Sequence, residues 1–419
     1  MHIVLLGGVA SAIDELAAHG HVLTVLYAEH HRGDVEPRRG KIANVGFVPV
    51  YDRPELAWFA LRHLGVTGDI DRVLPMHEMA VVSAVILNRM LGLAEQFGET
   101  VAIAGRDKAF QKTLWRRHGI PTSRHVVLTD SPRDLADLRH RLAGTTPPYV
   151  AKPPAEGGSA LVTACPDVPA LFEALNTSGL RHAVVEERCP GDEWHFDGAL
   201  VDGEIKALMV SKYMAPLIET KQGSTLRSIA HPPARHPDLY GEALEFSQRA
   251  TDALGGRQGV FHLEVFGSPG AFVAGEVGWR PAGVLAPRSA LHTIGLDLWT
   301  AHASLLAGHG LPVRVPTDGL TYGFVCLPVK PGAVNMVSRD ELAALPGVAY
   351  LKMKIPVGQV MPAQAFSTTC VAMALIAAPD IQTCGELIDQ AVRRTDDLHE
   401  QRSRMTSVEE LLGAHHDIN

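Results

Sequence analysis

The chain opens on a strand–turn–helix–strand run, and this feature restricts the fold most. His2 to Leu6 is an apolar stretch ending at Gly7-Gly8, Ser11 to His19 has helical spacing, and His21 to Tyr27 is rich in β-formers. A βαβ opening of this kind belongs to a doubly wound, parallel sheet. The alternation continues to Ile70–Leu93, a strand followed by a strongly apolar helix. Gly-x-Gly-x-x-Gly is absent, so Gly7-Gly8 does not make a dinucleotide fingerprint.

A length of 419 residues implies two to four units. We read residues 1–104 as a Rossmann-like domain and 105–310 as a central core with a smaller β-rich lobe at about 125–201. Residues 311–400 read as a C-terminal α+β subdomain, and 401–419 as a polar, mobile tail. The chain is 46% hydrophobic and 20% charged, as in soluble globular enzymes. A net charge of -8 argues against a general nucleic-acid surface. The five cysteines are scattered and form no Cys-x-x-Cys pair, which disfavours a disulfide framework or zinc site and fits a reducing cytoplasm. The start MHIVLLGG reads as a first strand rather than a signal peptide. No apolar run approaches the roughly 20 residues of a membrane helix.

Four stretches carry potential chemistry. Lys152 ends the run YVAK, and the EGGSA turn behind it offers consecutive backbone N–H groups. Such a pairing cradles an anion, or else forms a surface hairpin with a solvated lysine. Arg106 and Lys108 stand at the start of a helix with Asp107 as N-cap and Gly119 and Pro121 as its stop. The helix dipole disfavours cations there unless an anion sits between them. Lys112, one turn on, points the same way or into solvent. Ala183–Val185 runs into Glu186-Glu187 and, past a turn, Glu193. A strand edge there can read an adenine and a carboxylate beyond it can bind ribose hydroxyls, with a charged hairpin as the plainer reading. In FHLEVF and AFVAGEV, joined by a Gly267–Gly270 turn, period two sets His262 and Glu264 on one face, with Glu276 on the returning strand. Paired carboxylates inside apolar strands repel unless a cation joins them, and Mg²⁺ suits that donor set. Arg280 and Arg288 follow as candidate anion holders. Walker A, His-Glu-x-x-His and Gly-x-Ser-x-Gly motifs are absent. His30-His31 and His415-His416 read as solvated, and Trp194 and Trp279 as packing residues.

Taken in order, Asp107-Lys108, Gly119-Ile120-Pro121, VAKP with its Gly-Gly-Ser loop, VVEE…GDE and HLE…GEVGWRPAG resemble the ATP-grasp superfamily over about residues 100–310. The amino-terminal βα unit resembles a pre-ATP-grasp domain. The end, LPGVAYLKMKIPVGQVM with a strand and helix, is similar to L-amino-acid ligases and carnosine-synthase-like enzymes. The resemblance implies an α/β fold, α+β in part, with an ATP-grasp core behind a Rossmann-like domain. It implies that Lys108 and Lys152 hold ATP phosphates under a loop of Glu156, Gly157, Gly158 and Ser159. Glu186 and Glu187 would sit at the adenine hinge, Glu193 at the ribose, and Glu264 and Glu276 on Mg²⁺ or Mn²⁺. Arg280, with Lys152, would serve catalysis at the acyl phosphate or attacked carboxylate. Glu78, His262, Arg280 and Arg288 are the substrate candidates, with the polar Met214–Ala230 segment. One departure stands out: many relatives carry Asn two residues after the second metal glutamate, and this chain has Gly278. The implied activity joins a small-molecule carboxylate to an amine, both amino-acid-like, through an acyl phosphate. Rival readings are a ligase for carrier-protein-linked substrates, a bicarbonate-using carboxylase and a non-catalytic ATP-binding protein. No nucleic-acid or membrane partner is expected, and a homodimer is compatible.

Overall fold

Helices rather than hairpins join the first four strands, so these strands run parallel. In the computed structural model β1 (His2–Leu6), β2 (Val22–Tyr27), β3 (Asn44–Phe47) and β4 (Arg72–Pro75) lie in the order β3-β2-β1-β4. The structure describes residues 1–157, 161–180, 182–222, 224–315, 317–363 and 366–414, with the backbone alone at 221–222 and 403–414. Ile3 to Leu6 are fully buried, as expected of a parallel strand covered on both faces. Chain order reverses between β1 and β4, so Met76, His77 and Glu78 leave the sheet at the edge where open α/β sheets bind ligands.

A small antiparallel sheet follows, with β5 (His125–Leu128), β6 (Tyr149–Lys152), β7 (Thr163–Cys165) and β8 (Ala183–Glu187) in the order β5-β8-β6-β7. Helices Leu135–Arg141 and Val168–Thr177 contribute Leu138, Leu171 and Leu175 to its core beside Tyr149 and Ala151. The lobe therefore ends near Glu187 and not at 201, because the next strand joins a different sheet.

That sheet has eight strands. β9 (Asp192–Val201), β10 (Glu204–Tyr213), β11 (Arg227–His231), β12 (Gly259–Gly267), β13 (Val273–Gly278), β14 (Thr321–Leu327), β15 (Val348–Met353) and β16 (Ala372–Ala378) pair antiparallel in the order β13-β12-β9-β10-β11-β14-β16-β15. Its last three strands lie beyond residue 310, so 311–400 does not build a sheet of its own. The final helix runs from Ile381 to Ala414, longer than the mobile-tail expectation, since no proline interrupts it. His415 and His416 lie outside the described residues.

His31 is not a solvated loop residue. Tyr51 receives a hydrogen bond from Ala28 N at 2.7 Å and donates to His31 Nδ1 at 2.6 Å, and burial presses the imidazole down to about 3. Trp194 and Trp279 pack as expected, each indole donating to a backbone carbonyl. All five cysteines are free. Among the described residues no helix is long and apolar enough to cross a membrane.

Candidate active site

Alternation along three neighbouring strands assembles the centre of the site. On the β12–β13 hairpin Glu264 pairs directly with Glu276 and His262 with Gly278. On the other side of β12, His195 of β9 pairs with Glu264 and Asp197 with His262. With a side-chain period of two, Glu193, His195 and Asp197 share the face of His262, Glu264 and Glu276. These residues, apart from the fully buried Asp197, line one cavity beneath the small sheet.

Cations enter this cavity from two other elements. Lys108 begins the helix Lys108–Arg117, whose N-cap Asp107 accepts from Phe110 N at 2.9 Å. Lys152 ends β6. Their ammonium groups lie 3.7 and 3.6 Å from the same Glu276 oxygen, and Lys108 Nζ also donates to the Glu156 carbonyl at 2.5 Å. Burial works against the Lys152 charge, but Glu186 and Glu276 outweigh it and hold the ammonium above the usual lysine range. Gly157 approaches Glu78, and Gly158 and Ser159 lie outside the described residues.

Glu186 is not turned toward an adenine hinge. Its carboxylate pairs with Lys152, contacts Lys112 at 2.8 Å and accepts from Ser123 Oγ at 2.5 Å. Burial alone would raise its pKa, but Lys112 and Lys152 hold it well below the usual carboxylate range. Lys112 is fully buried rather than solvent-facing, because Gln111 and Lys112 dock the helix on β13 through Val277 and Gly275. Glu187 turns the other way and accepts from Thr146 N and Oγ1 at 2.7 and 3.0 Å. The backbone of β8 still borders the cavity, as does Glu193, whose carboxylate accepts from Leu217 N at 2.9 Å. Burial and the nearby Glu264 push Glu193 up.

Glu78 bridges the N-terminal domain to the site. It accepts from Arg280 Nε and Nη2 at 2.9 and 2.6 Å and pairs with Arg106 through its other oxygen. Burial opposes its charge, but Arg280 and Arg106 draw it down to about 2. Both oxygens of Glu78, one of the substrate candidates, are thus engaged by guanidinium groups. Arg280 Nη1 also donates to Pro281 O at 2.9 Å, which leaves two of its five N–H groups uncommitted. Arg288 is not in the cavity: its guanidinium stacks 3.8 Å from the Tyr350 ring centroid.

A buried polar chain backs the metal-type glutamates. Asp197 accepts from His195 Nδ1 at 2.6 Å and from His262 Nδ1 at 2.8 Å, and His195 Nε2 meets Ser228 Oγ at 2.7 Å. His262 Nε2 lies 3.8 Å from Glu264. Burial disfavours its charge, but Asp197 and Glu264 raise it to about 9. These three residues could themselves surround a cation, although each ring nitrogen facing Asp197 already has that carboxylate as partner. Sequence reasoning missed His195 and Asp197; the signal was there in E-W-H-F-D, polar groups at every second position of an apolar strand.

Glu264 and Glu276 suit a divalent cation. Like charges directly opposite on a hairpin are destabilising, and an all-oxygen donor pair fits Mg²⁺ or Mn²⁺. A Cβ on Gly278 would meet nothing closer than Arg280 at 3.7 Å, so β13 supplies open space where Asn was expected.

No protein-family model matches the chain. The chain is 26% identical over 310 residues to an L-arginine-specific L-amino acid ligase of Bacillus subtilis, covering 70% of this chain and 72% of that one. An L-amino acid ligase structure from Bacillus licheniformis superposes with a TM-score of 0.73 at 19% identity, covering 94% of this chain and 97% of that one. A carboxyaminoimidazole ribonucleotide synthase from Aspergillus clavatus, complexed with ATP, gives 0.70 at 15%, covering 94% and 98%. The structural likenesses extend over nearly the whole chain. The chain shares the fold of these ligase and synthase structures.

Proposed function

We propose that the cleft joins a carboxylate to an amine, cleaving ATP to ADP and phosphate, and that both substrates are amino acids. One observation carries this reading: Glu264 and Glu276 face each other across a hairpin, with Lys108 and Lys152 beside Glu276 and Arg280 four residues on. The amino-acid assignment draws on the sequence likeness to an L-amino acid ligase.

Phosphoryl transfer needs positioning and charge neutralisation more than covalent help from the protein. Lys108 and Lys152 would hold phosphate oxygens in the cavity. Glu264 and Glu276 would hold Mg²⁺, which when bound neutralises phosphate charge. With no donor at Gly278, these two carboxylates suit one cation. A carboxylate oxygen attacks the γ-phosphorus and ADP leaves. The free N–H groups of Arg280 would then stabilise charge on the acyl oxygen. The amine attacks the acyl carbon, phosphate leaves, and the amine's proton is lost as the amide forms. Glu78 fixes the guanidinium for this task. The test is mass spectrometry of reactions with paired amino acids. The expected product has the summed mass of both acids less one water and forms only with ATP. Phosphate release that depends on bicarbonate and yields no amide would overturn the reading.

A further inference from the structure

Resting on the ligase reading, we infer that Tyr213 is a substrate-binding residue: its hydroxyl donates to a carboxylate oxygen of an amino acid whose side chain is apolar. Tyr213 ends β10, pairs with Ser228 of β11, and Ser228 pairs with Phe324 of β14, so the three form one row across the sheet. The period of two puts that row on the face of His195, Glu264 and Glu276. Tyr213 is 8% exposed and lines the cavity. Among the described residues its hydroxyl makes no hydrogen bond to the protein. The hydroxyl is therefore open to the cavity and free to donate to a molecule bound there. Its surroundings keep it a donor. Burial raises the phenol well above its usual range, and Glu264, Glu193 and Asp197 add to the effect. Its ring lies 4.8 Å from that of His195.

The wall beside it is apolar. Leu226, Ala282, Ala286 and Phe324 pack with Tyr213 in one hydrophobic cluster and line the same cavity. Val284 also lines it, held at a φ of 53–59° with the few non-glycine residues in the left-handed region, itself at 59°. Of the cavity's other carboxylates, Glu78 is held by Arg280, Glu186 by lysines and one Glu193 oxygen by Leu217 N, while Glu264 and Glu276 form the cation-type pair. Leu226, Ala282, Ala286 and Phe324 offer a guanidinium side chain no acid to pair with, whereas an aliphatic or aromatic one would bury its surface against them.

The test is calorimetric titration of L-leucine and L-arginine into the full chain saturated with magnesium and a non-hydrolysable ATP analogue. Wild type is expected to bind leucine in preference to arginine. Tyr213→Phe is expected to weaken leucine binding about 10- to 100-fold, the loss of a hydrogen bond to a charged acceptor. The variant should bind the ATP analogue as wild type does and melt no lower, because the lost hydroxyl had no protein partner. Equal leucine affinity in Tyr213→Phe, a preference for arginine, failure of wild type to bind leucine, or a clearly lowered melting temperature would each overturn the inference. Weakened leucine binding without amide formation by wild type would support Tyr213 and count against the ligase reading alone.

Discussion

Replacing Glu186 by Gln should destabilise the protein while preserving the side chain's shape. Glu186 is 6% exposed, and it is held between Lys112, which is 0% exposed, and Lys152. Removing one member of a buried ionic network leaves charge without compensation, a loss of about 3–5 kcal/mol. The amide can still accept from Ser123 or Lys112, and Lys152 keeps Glu276, so the lower end applies. At about 2.1 cal/mol/K per residue, a cooperative unit of this length melts with an entropy near 0.9 kcal/mol/K, and about 3 kcal/mol lowers its transition by about 3–4 °C. Scanning calorimetry at pH 7 reads this directly. Adding Lys112→Met to the variant removes the stranded ammonium and should restore most of the loss, since apolar replacements of buried ion pairs are often neutral. A Glu186→Gln transition within about 1 °C of wild type, or a double variant less stable than the single, would refute the reasoning.

Glu78→Gln should lower kcat by about tenfold or more with the KM for ATP little changed, because Arg280 loses its positioning partner; steady-state kinetics at saturating substrates check this. Glu78 also gives a pH signature. A carboxyl drawn down to about 2 contributes stability above about pH 4.5 and loses it as the pH falls toward 2, so urea midpoints of Glu78→Gln should depend less on pH across that window. Arg288→Ala should leave both amino-acid KM values within about twofold, since Arg288 stacks on Tyr350, and should cost about 0.5–1 kcal/mol of stability by denaturant titration.

Local pattern carried the site's centre. Period two along FHLEVF set His262 and Glu264 on one face, and the Gly267–Gly270 turn brought Glu276 across, where the structure pairs it directly with Glu264. Lys152 at the end of a strand was legible for the same reason. Contacts between distant segments were not. Glu78 and Arg280 are separated by 202 positions, and only the docking of the N-terminal sheet on the core joins them. Lys112 could have faced solvent or sheet, and the choice depended on Gln111 pairing with Val277. Glu186 misled because VVEE matched a hinge by position, while the side chain's direction is decided by two lysines from other elements. The extent of the large sheet was hidden too, because β14 to β16 are apolar runs that fit a separate sheet equally well.

The central claim is ATP-driven joining of two substrates through Glu264 and Glu276. The most direct measurement is phosphate release from magnesium-ATP with pooled amino acids, run on the native chain and Glu276→Gln in parallel. The account predicts release that needs two amino acids in the native chain and falls at least about 100-fold in the folded variant. Native protein that binds ATP yet releases no phosphate with any pool, or a variant as active as the native chain, would contradict it.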